Sequence, residues 1–158
     1  MDKLHFRNYV IARETPSRLM LQNIYVCSDS MLVTRSTVEY AIQNLQDPAE
    51  FKDLYLLSSS YLGCMSGDTF NHYSEAIDIG IDSFESHFYL LTWRSLSNTV
   101  SVVISKATQL ITLPTIQEVK SREHLDDFVL VGVEYLGFMT KKIFESLPVS
   151  ENIKYCHP

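Results

Sequence analysis

Residues 126–147, DDFVLVGVEYLGFMTKKIFESL, are the longest stretch of the sequence with one continuous pattern, and the fold prediction depends on them. Asp126 and Asp127 stand where a helix dipole favours anions, and Pro148 would end the run. At 100° per residue, one face collects these side chains: Phe128, Val129, Gly132, Tyr135, Leu136, Met139, Ile143 and Leu147. The stretch therefore predicts a long C-terminal helix.

The same stretch has a second interpretation, which the pattern leaves open. Residues 128–135 are rich in valine and would form a buried strand, with a shorter helix only from Gly137 onward. Periodicity does not separate strand from helix in so short an apolar run. Glu134 interrupts the apolar residues, whereas a bilayer span needs about 20 of them. In both interpretations the stretch is a core element and does not cross a membrane.

The first part of the chain predicts strands, and a later part predicts a loop. Residues 4–12 predict one strand, and residues 19–33 predict two short strands about a central turn. Residues 58–74 carry two glycines, three consecutive serines and His72, a composition that is typical of a loop. Because functional residues are often found on loops, we expect any site to lie there first.

A pair of antiparallel helices is predicted between these segments. Ser36 or Thr37 would cap a helix over residues 38–46, which has apolar side chains on one side. Pro48 favours the first turn of a second helix. The residues that share a face of this second helix are Phe51, Leu54 and Tyr55, with Ser58 and Leu62 further along.

An antiparallel meander of three or four strands is predicted next. Its segments are 76–82, 87–94, 99–106 and 108–113, which alternate apolar and polar residues or are rich in β-branched and aromatic ones. In a competing interpretation residues 84–95 are helical, since several large side chains also recur at helical spacing. In both interpretations, Pro114 would begin a short helix over 115–125.

The predicted fold is a single α+β domain over residues 1–158, with the meander packed by the helical pair and by the long C-terminal helix. An all-α bundle is the alternative, and it would follow if 84–95 and 126–135 were both helical. A chain of this length can bury a sizeable core as one domain. No internal repeat, low-complexity tract or Gly/Ser linker is evident.

Charge and cysteine content narrow the function classes. A net charge of −6 and the absence of any Lys/Arg run argue against nucleic acid and anionic membranes as partners. Cys27, Cys64 and Cys156 are odd in number and never form a CxxC pair, which is typical of reduced cysteines. The first ten residues lack the apolar core of a secretory signal. The sequence thus predicts a cytoplasmic protein.

The main enzyme hypothesis pairs Cys64 with His72, because a thiol becomes a nucleophile beside a base or a positive field. The two residues are eight positions apart in the predicted loop, and Asp68 or Asp78 would orient the histidine. The opposing interpretation is that Cys64 is a small apolar residue under the loop and His72 a surface residue. We favour the opposing interpretation, so catalysis is the secondary hypothesis.

Neither a metal nor a cofactor is predicted. The five histidines have no HExxH or HxH spacing, and the five glycines form no phosphate-binding loop. Asp78 and Asp82 would share one face of a strand over 76–82. We interpret them as solvated side chains of an edge strand rather than as cation ligands.

Aromatic residues suggest a binding surface. Tyr89, Trp93 and Arg94 belong to the residue types enriched at interface hot spots, although the same types also build sheet interiors. The first function hypothesis is a non-enzymatic intracellular protein that binds another protein or itself as a homodimer, as accessory, immunity or viral counter-defence factors do. The alternatives are a hydrolase or transferase that uses Cys64 and His72, and a carrier of an apolar small molecule between sheet and terminal helix.

Overall fold

The computed structural model describes residues 2–14, 16–45, 54–78 and 83–146. Strands make up 48% of it, and the helices are short. In chain order the elements are β1 (Leu4–Glu14), β2 (Leu19–Ser28), α1 (Arg35–Gln43), β3 (Leu54–Met65), α2 (Gly67–His72), β4 (Glu85–Arg94), β5 (Thr99–Lys106), α3 (Leu113–Arg122), β6 (Val129–Thr140) and α4 (Lys141–Ser146).

The strands form two three-stranded sheets, and every strand pair is antiparallel. The order is β2-β1-β3 in the first sheet and β5-β4-β6 in the second. In each sheet one helix joins the second strand to the third, and another helix follows the third. The chain is therefore two successive ββαβα units, which we call unit 1 (residues 4–72) and unit 2 (residues 85–146).

The two units are equivalent residue by residue, although the sequence suggested no repeat. Equivalent residues are 82 positions apart in β1 and β4, as His5 and His87 are. The separation falls to 78 between β2 and β5 and to 74 between β3 and β6, as for Gly63 and Gly137. Because the connections of unit 2 are shorter, the repeat has no fixed period. A repeat is recognised in a sequence by a constant period, so this one was not found.

Both β3 and β6 contain two β-bulges at equivalent places. The residues left without a cross-strand partner are Leu57 and Leu62 in β3 and Val131 and Leu136 in β6. Gly63 and Gly137 follow the second bulge of their strands, with φ of 132° and 131°. L side chains rarely adopt this conformation, so glycine is required at both positions.

Aromatic stacking holds the short helix that follows each of these edge strands. Phe6 stacks on Phe70 with ring centroids 4.4 Å apart, and Phe88 stacks on Phe144 with centroids 4.5 Å apart. Such a pair contributes about 0.5–1.5 kcal/mol beyond the burial of its surface. The units thus share side-chain packing as well as topology.

One helix covers one face of each sheet. The side chain of Thr34 accepts from the N–H of Thr37 in a capping box, which starts α1 and directs Ala41 onto Tyr9 and Ile11. In unit 2, α3 begins after a threonine at the equivalent position and packs into a larger core. The fold is a pair of helix-covered sheets.

The predicted long C-terminal helix is wrong, because most of this segment is β6 and only Lys141–Ser146 are helical. One face of β6 carries Leu130, Val133, Tyr135 and Phe138. The residues that would share one helical face instead lie on both faces of β6, since Val129, Gly132 and Met139 are on the side opposite to Tyr135. The second interpretation is nearer, although the strand continues past Gly137. Residues 147–158, with the predicted stop at Pro148, lie outside the described residues.

The predicted helical pair is also wrong, and so is the all-α bundle. The first helix of the predicted pair is present as α1, but Leu54–Met65 form strand β3 instead of the second helix. The start of that second helix, at Pro48 and Phe51, lies outside the described residues. The predicted loop over 58–74 is mostly β3 and α2.

The meander is only partly correct. Residues 87–94 and 99–106 are confirmed as strands β4 and β5, and the short helix after Pro114 is confirmed as α3. Residues 108–112 lead into that helix without forming a strand. Residues 76–78 are not in a strand, and 79–82 lie outside the described residues.

Candidate functional site

The two units meet where the outer edge of β6 crosses the face of the first sheet. Asn23 donates through Nδ2 to the carbonyl oxygen of Leu130 at 2.6 Å and accepts through Oδ1 from the Leu130 N–H at 3.1 Å. Asn8 donates to the same carbonyl oxygen at 2.9 Å. At this edge, side-chain amides take the place of a neighbouring strand.

Two serines of β3 continue this polar contact. Ser58 donates through Oγ to the carbonyl oxygen of Val131 at 2.8 Å, and Ser60 accepts from the Val133 N–H at 2.9 Å. Asn8 and Ser60 are buried, so a bond left unmade here would cost about 1–3 kcal/mol. The four polar side chains therefore fix the position of unit 2 on unit 1.

An apolar contact lies beside the polar one. The Ile111 N–H donates to the carbonyl oxygen of Leu62 at 2.8 Å, which joins the loop before α3 to a bulge of β3. Leu62, Met65 and Ile111 belong to the same core cluster. A methyl group at Gly63 would lie 2.7 Å from Leu110 Cδ2, so the loop approaches β3 as closely as a glycine permits.

A groove of about 450 Å³ remains open between the units. Unit 1 lines it with Tyr61 and Cys64, and unit 2 lines it with Tyr89, Gln109 and Tyr135. Burial raises the pKa of Tyr61, as does the nearby thiol of Cys64, so the phenol stays protonated at neutral pH. The groove therefore offers aromatic surface with hydroxyl groups and has the volume of a small-molecule site.

Equivalent His–Tyr pairs stand on the two walls of this groove. His5 Nδ1 lies 2.9 Å from the Tyr61 hydroxyl, and His87 Nδ1 lies 3.0 Å from the Tyr135 hydroxyl. Their ring centroids are 5.9 Å and 5.8 Å apart. The sequence analysis assigned no role to either histidine.

Cys64 is paired with His5 across the sheet and not with His72. His72 ends α2 and is exposed, and the described residues show no hydrogen bond between it and Cys64. The imidazole Nδ1 of His5 is already bonded to Tyr61. A nucleophilic role of Cys64 stays a prediction, and His5 is the base that the fold brings closest along the sheet.

Asp78 forms a structural clamp. Its Oδ2 lies 2.6 Å from Arg122 Nη1, and its Oδ1 accepts from the Ser105 N–H at 2.8 Å. The backbone of Asp78 is left-handed, with φ of 57°, a conformation that aspartate tolerates better than most residues. Both carboxylate oxygens are thus engaged in tying the inter-unit segment to β5 and α3. Asp82, its predicted companion, lies outside the described residues.

A second polar cluster lies deeper in unit 2. Lys106 donates through Nζ to the carbonyl oxygen of Leu110 and to Thr115 Oγ1, and it pairs with Glu75 Oε1 at 3.0 Å. Thr108 donates to the same carboxylate. Burial lowers the pKa of Lys106, and the hydrogen bond and charge of Glu75 oppose that effect. With all three ammonium protons engaged, Lys106 is a structural residue and not a nucleophile.

The three residues predicted to form a binding surface lie in different environments. Tyr89 and Trp93 are buried in the core under α3, whereas Arg94 is exposed. Arg94 borders a cleft of about 560 Å³ between two hairpins, together with Met20 and Leu96. A role in partner binding stays a prediction for these residues, and Arg94 is the one whose side chain is exposed.

Two groups stand out among the exposed apolar side chains of the described residues, while others, such as Tyr40 and Phe84, lie elsewhere. One is the loop before α1, with Met31, Leu32 and Val33. The other lies at the end of β6 and on α4, with Tyr135, Leu136, Phe138, Ile143 and Phe144. The predicted helix face included Tyr135, Leu136 and Ile143 of the second group but neither Phe138 nor Phe144. The recurrence of Tyr-Leu-Gly-x-Met at 61–65 and 135–139 is the sequence signal that would have revealed the two equivalent positions.

The described residues contain neither a cluster of metal ligands nor a membrane-spanning helix. In the described ranges, no three His, Cys, Asp or Glu side chains come together as a metal site would require. No helix in the described part of the chain is long and apolar enough to cross a membrane. Comparisons with known protein families, with curated proteins and with solved structures gave no match.

Proposed function

We propose that this chain is a non-enzymatic interaction protein that acts by binding polypeptides through its surface. The observation that supports the proposal is the apolar group at the end of β6 and on α4, where five large side chains are each at least one-third exposed. Soluble proteins rarely leave large apolar groups uncovered, and such groups commonly mark contact sites.

The surroundings of this group support the same function. Lys141 and Glu145 form an ion pair at 3.7 Å on the exposed side of α4, and Lys142 and Glu134 are exposed nearby. An apolar centre with a charged rim is the usual arrangement of a protein interface. The exposed thiol of Cys27 is consistent with a reducing, cytoplasmic location, which we include in the proposal.

Native mass spectrometry of the gently purified protein tests this function. We expect complexes in which a second polypeptide, the same chain or another one, is bound to it. The Phe138→Asp variant should lose most of that bound fraction, since a charge would stand in the apolar centre, whereas Tyr40→Asp on the exposed side of α1 should keep it. A bare monomer in every preparation would contradict the proposal. A monomer that carries a small molecule would favour the carrier alternative, with the inter-unit groove as its site.

Thiol alkylation separates this function from the enzyme alternative. We expect iodoacetamide to modify Cys27 faster than Cys64 at neutral pH, because Cys27 is exposed and Cys64 is half-buried in β3. Peptide mass spectrometry over a time course gives both rates. If Cys64 reacted faster, and if His5→Ala slowed that reaction, the thiol would be activated and the enzyme alternative would replace our proposal.

A further inference from the structure

The contact between the units is made by two different surfaces. The tail surface of unit 1 comprises Asn8, Asn23, Ser58, Ser60, Leu62, Met65 and Phe70. The head surface of unit 2 comprises Gln109, Leu110, Ile111, Leu130, Val131 and Val133. Since each unit has both surfaces and the chain contains one such contact, one tail and one head are left over.

The remaining head surface belongs to unit 1, and it coincides with exposed apolar residues. The counterparts of Gln109, Leu110 and Ile111 are Met31, Leu32 and Val33, given the separation of 78 positions. Ile111 is 0% exposed, whereas Val33 is 41% and Leu32 is 70% exposed. The counterpart of Val131 at the bulge is Leu57, which is also exposed.

The remaining tail surface belongs to unit 2, and it shows the same contrast. Leu62 is 1% exposed, whereas its counterpart Leu136 is 36% exposed. Phe70 is 4% exposed, whereas its counterpart Phe144 is 38% exposed. The exposed loop of residues 31–33 and the exposed side chains of Leu136 and Phe144 therefore correspond to the two halves of a contact that the chain already forms once internally.

We propose that the partner is a second copy of this chain, bound head to tail, with the loop of residues 31–33 of one copy seated on the end of β6 and α4 of the next. The proposal rests on the proposed function and names its partner. In this arrangement Leu32 meets Gly137 and Met139 as Leu110 meets Gly63 and Met65 inside the chain. Because the two surfaces differ, the contact repeats from copy to copy and produces a closed ring of two or more copies or an open filament.

The polar half of the contact is only partly reproduced between copies. The counterparts of Asn8, Asn23, Ser58 and Ser60 are Leu90, Ser101, Gly132 and Glu134. Ser101 and Glu134 retain hydrogen-bonding groups, but the two amides are lost. The contact between copies is thus mainly apolar and weaker than the one between units, so the association is reversible and depends on concentration.

Sedimentation velocity of the full chain from about 1 μM to about 100 μM tests the proposal. We expect the wild-type mass to rise with concentration above the 18.2 kDa of one chain. Leu32→Asp disrupts the free head surface, and Leu136→Asp disrupts the free tail surface. Each variant alone should self-associate at least about 30-fold more weakly than the wild type. An equimolar mixture should form a dimer and stop there, because one intact head meets one intact tail. Tyr40→Asp, on the exposed side of α1, should behave as wild type.

Several outcomes would overturn the proposal. A wild-type chain that stays monomeric over the whole range excludes self-association, and bound foreign polypeptides would then still support the interaction function. Association that survives in both variants, or a mixture that stays monomeric while the wild type associates, excludes the head-to-tail geometry. Circular dichroism checks that each variant folds, and Met139→Asp, at the counterpart of Met65 on the tail surface, replaces Leu136→Asp if that variant does not.

Discussion

Replacing Lys106 with alanine is expected to lower the free energy of unfolding by about 3–5 kcal/mol, because it removes one partner of a buried ion pair. The Lys106 side chain is fully buried, and that of Glu75 is 10% exposed. Without the ammonium group, the carboxylate of Glu75 would keep one hydrogen bond, from Thr108, and no nearby cation among the described residues. Urea denaturation followed by circular dichroism measures the loss.

A double variant serves as the control for this effect. Lys106→Met with Glu75→Gln replaces the charged pair by a methionine of similar length and a neutral amide, and it should recover most of the lost stability. If Lys106→Ala cost less than about 1 kcal/mol, the pair would behave like an exposed ion pair, and the assignment of a buried structural role would be wrong.

Replacing Trp93 with alanine is expected to cost about 3–5 kcal/mol of stability, because it empties the largest buried side chain of unit 2. Trp93 lies on the face of β4 that packs under α3, next to Leu91 and Leu130 in the same core cluster. Thermal or urea unfolding of the purified variant measures the cost. A variant of unchanged stability with weakened partner binding would instead make Trp93 an interface anchor.

Trp93→Phe is the matched control. The indole Nε1 is buried and has no hydrogen-bond partner among the described residues, so phenylalanine removes an unsatisfied donor together with some volume. The two changes oppose each other, and the expected cost is below about 1.5 kcal/mol. A cost as large as that of alanine would show that the N–H has a partner.

The sequence predicted local elements well where one pattern acted alone. The helix predicted over 38–46 is α1 (Arg35–Gln43), and its apolar residues Val38, Ala41 and Ile42 pack in the first core as expected. Strands β1, β4 and β5 were predicted because aromatic and β-branched residues are dense there. The same reasoning failed for β6, since its two bulges break the period of two residues that marks a strand.

The contact between the units was beyond sequence reasoning for a different reason. Asn8 and Leu130 are 122 positions apart, and nothing in the local pattern indicates that an asparagine in a strand will hydrogen-bond a distant backbone. The serines of 58–60 were interpreted as a loop, although Ser60 is buried and bonded to β6. Polar residues that serve a buried edge have the same composition as polar residues that face water.

The polar face of the first sheet is synthesised before β6, the strand whose edge it covers. Synthesis proceeds from the N-terminus, and N-terminal parts of a chain generally fold first. The asparagines and serines of unit 1 therefore leave the ribosome well before the valine-rich strand over 129–140 that they will cover. An uncovered edge of that composition is a template for misassembly. Because Asn23 and Ser60 already bond the backbone of Leu130 and Val133, this part of the edge is closed to pairing with a strand of another chain.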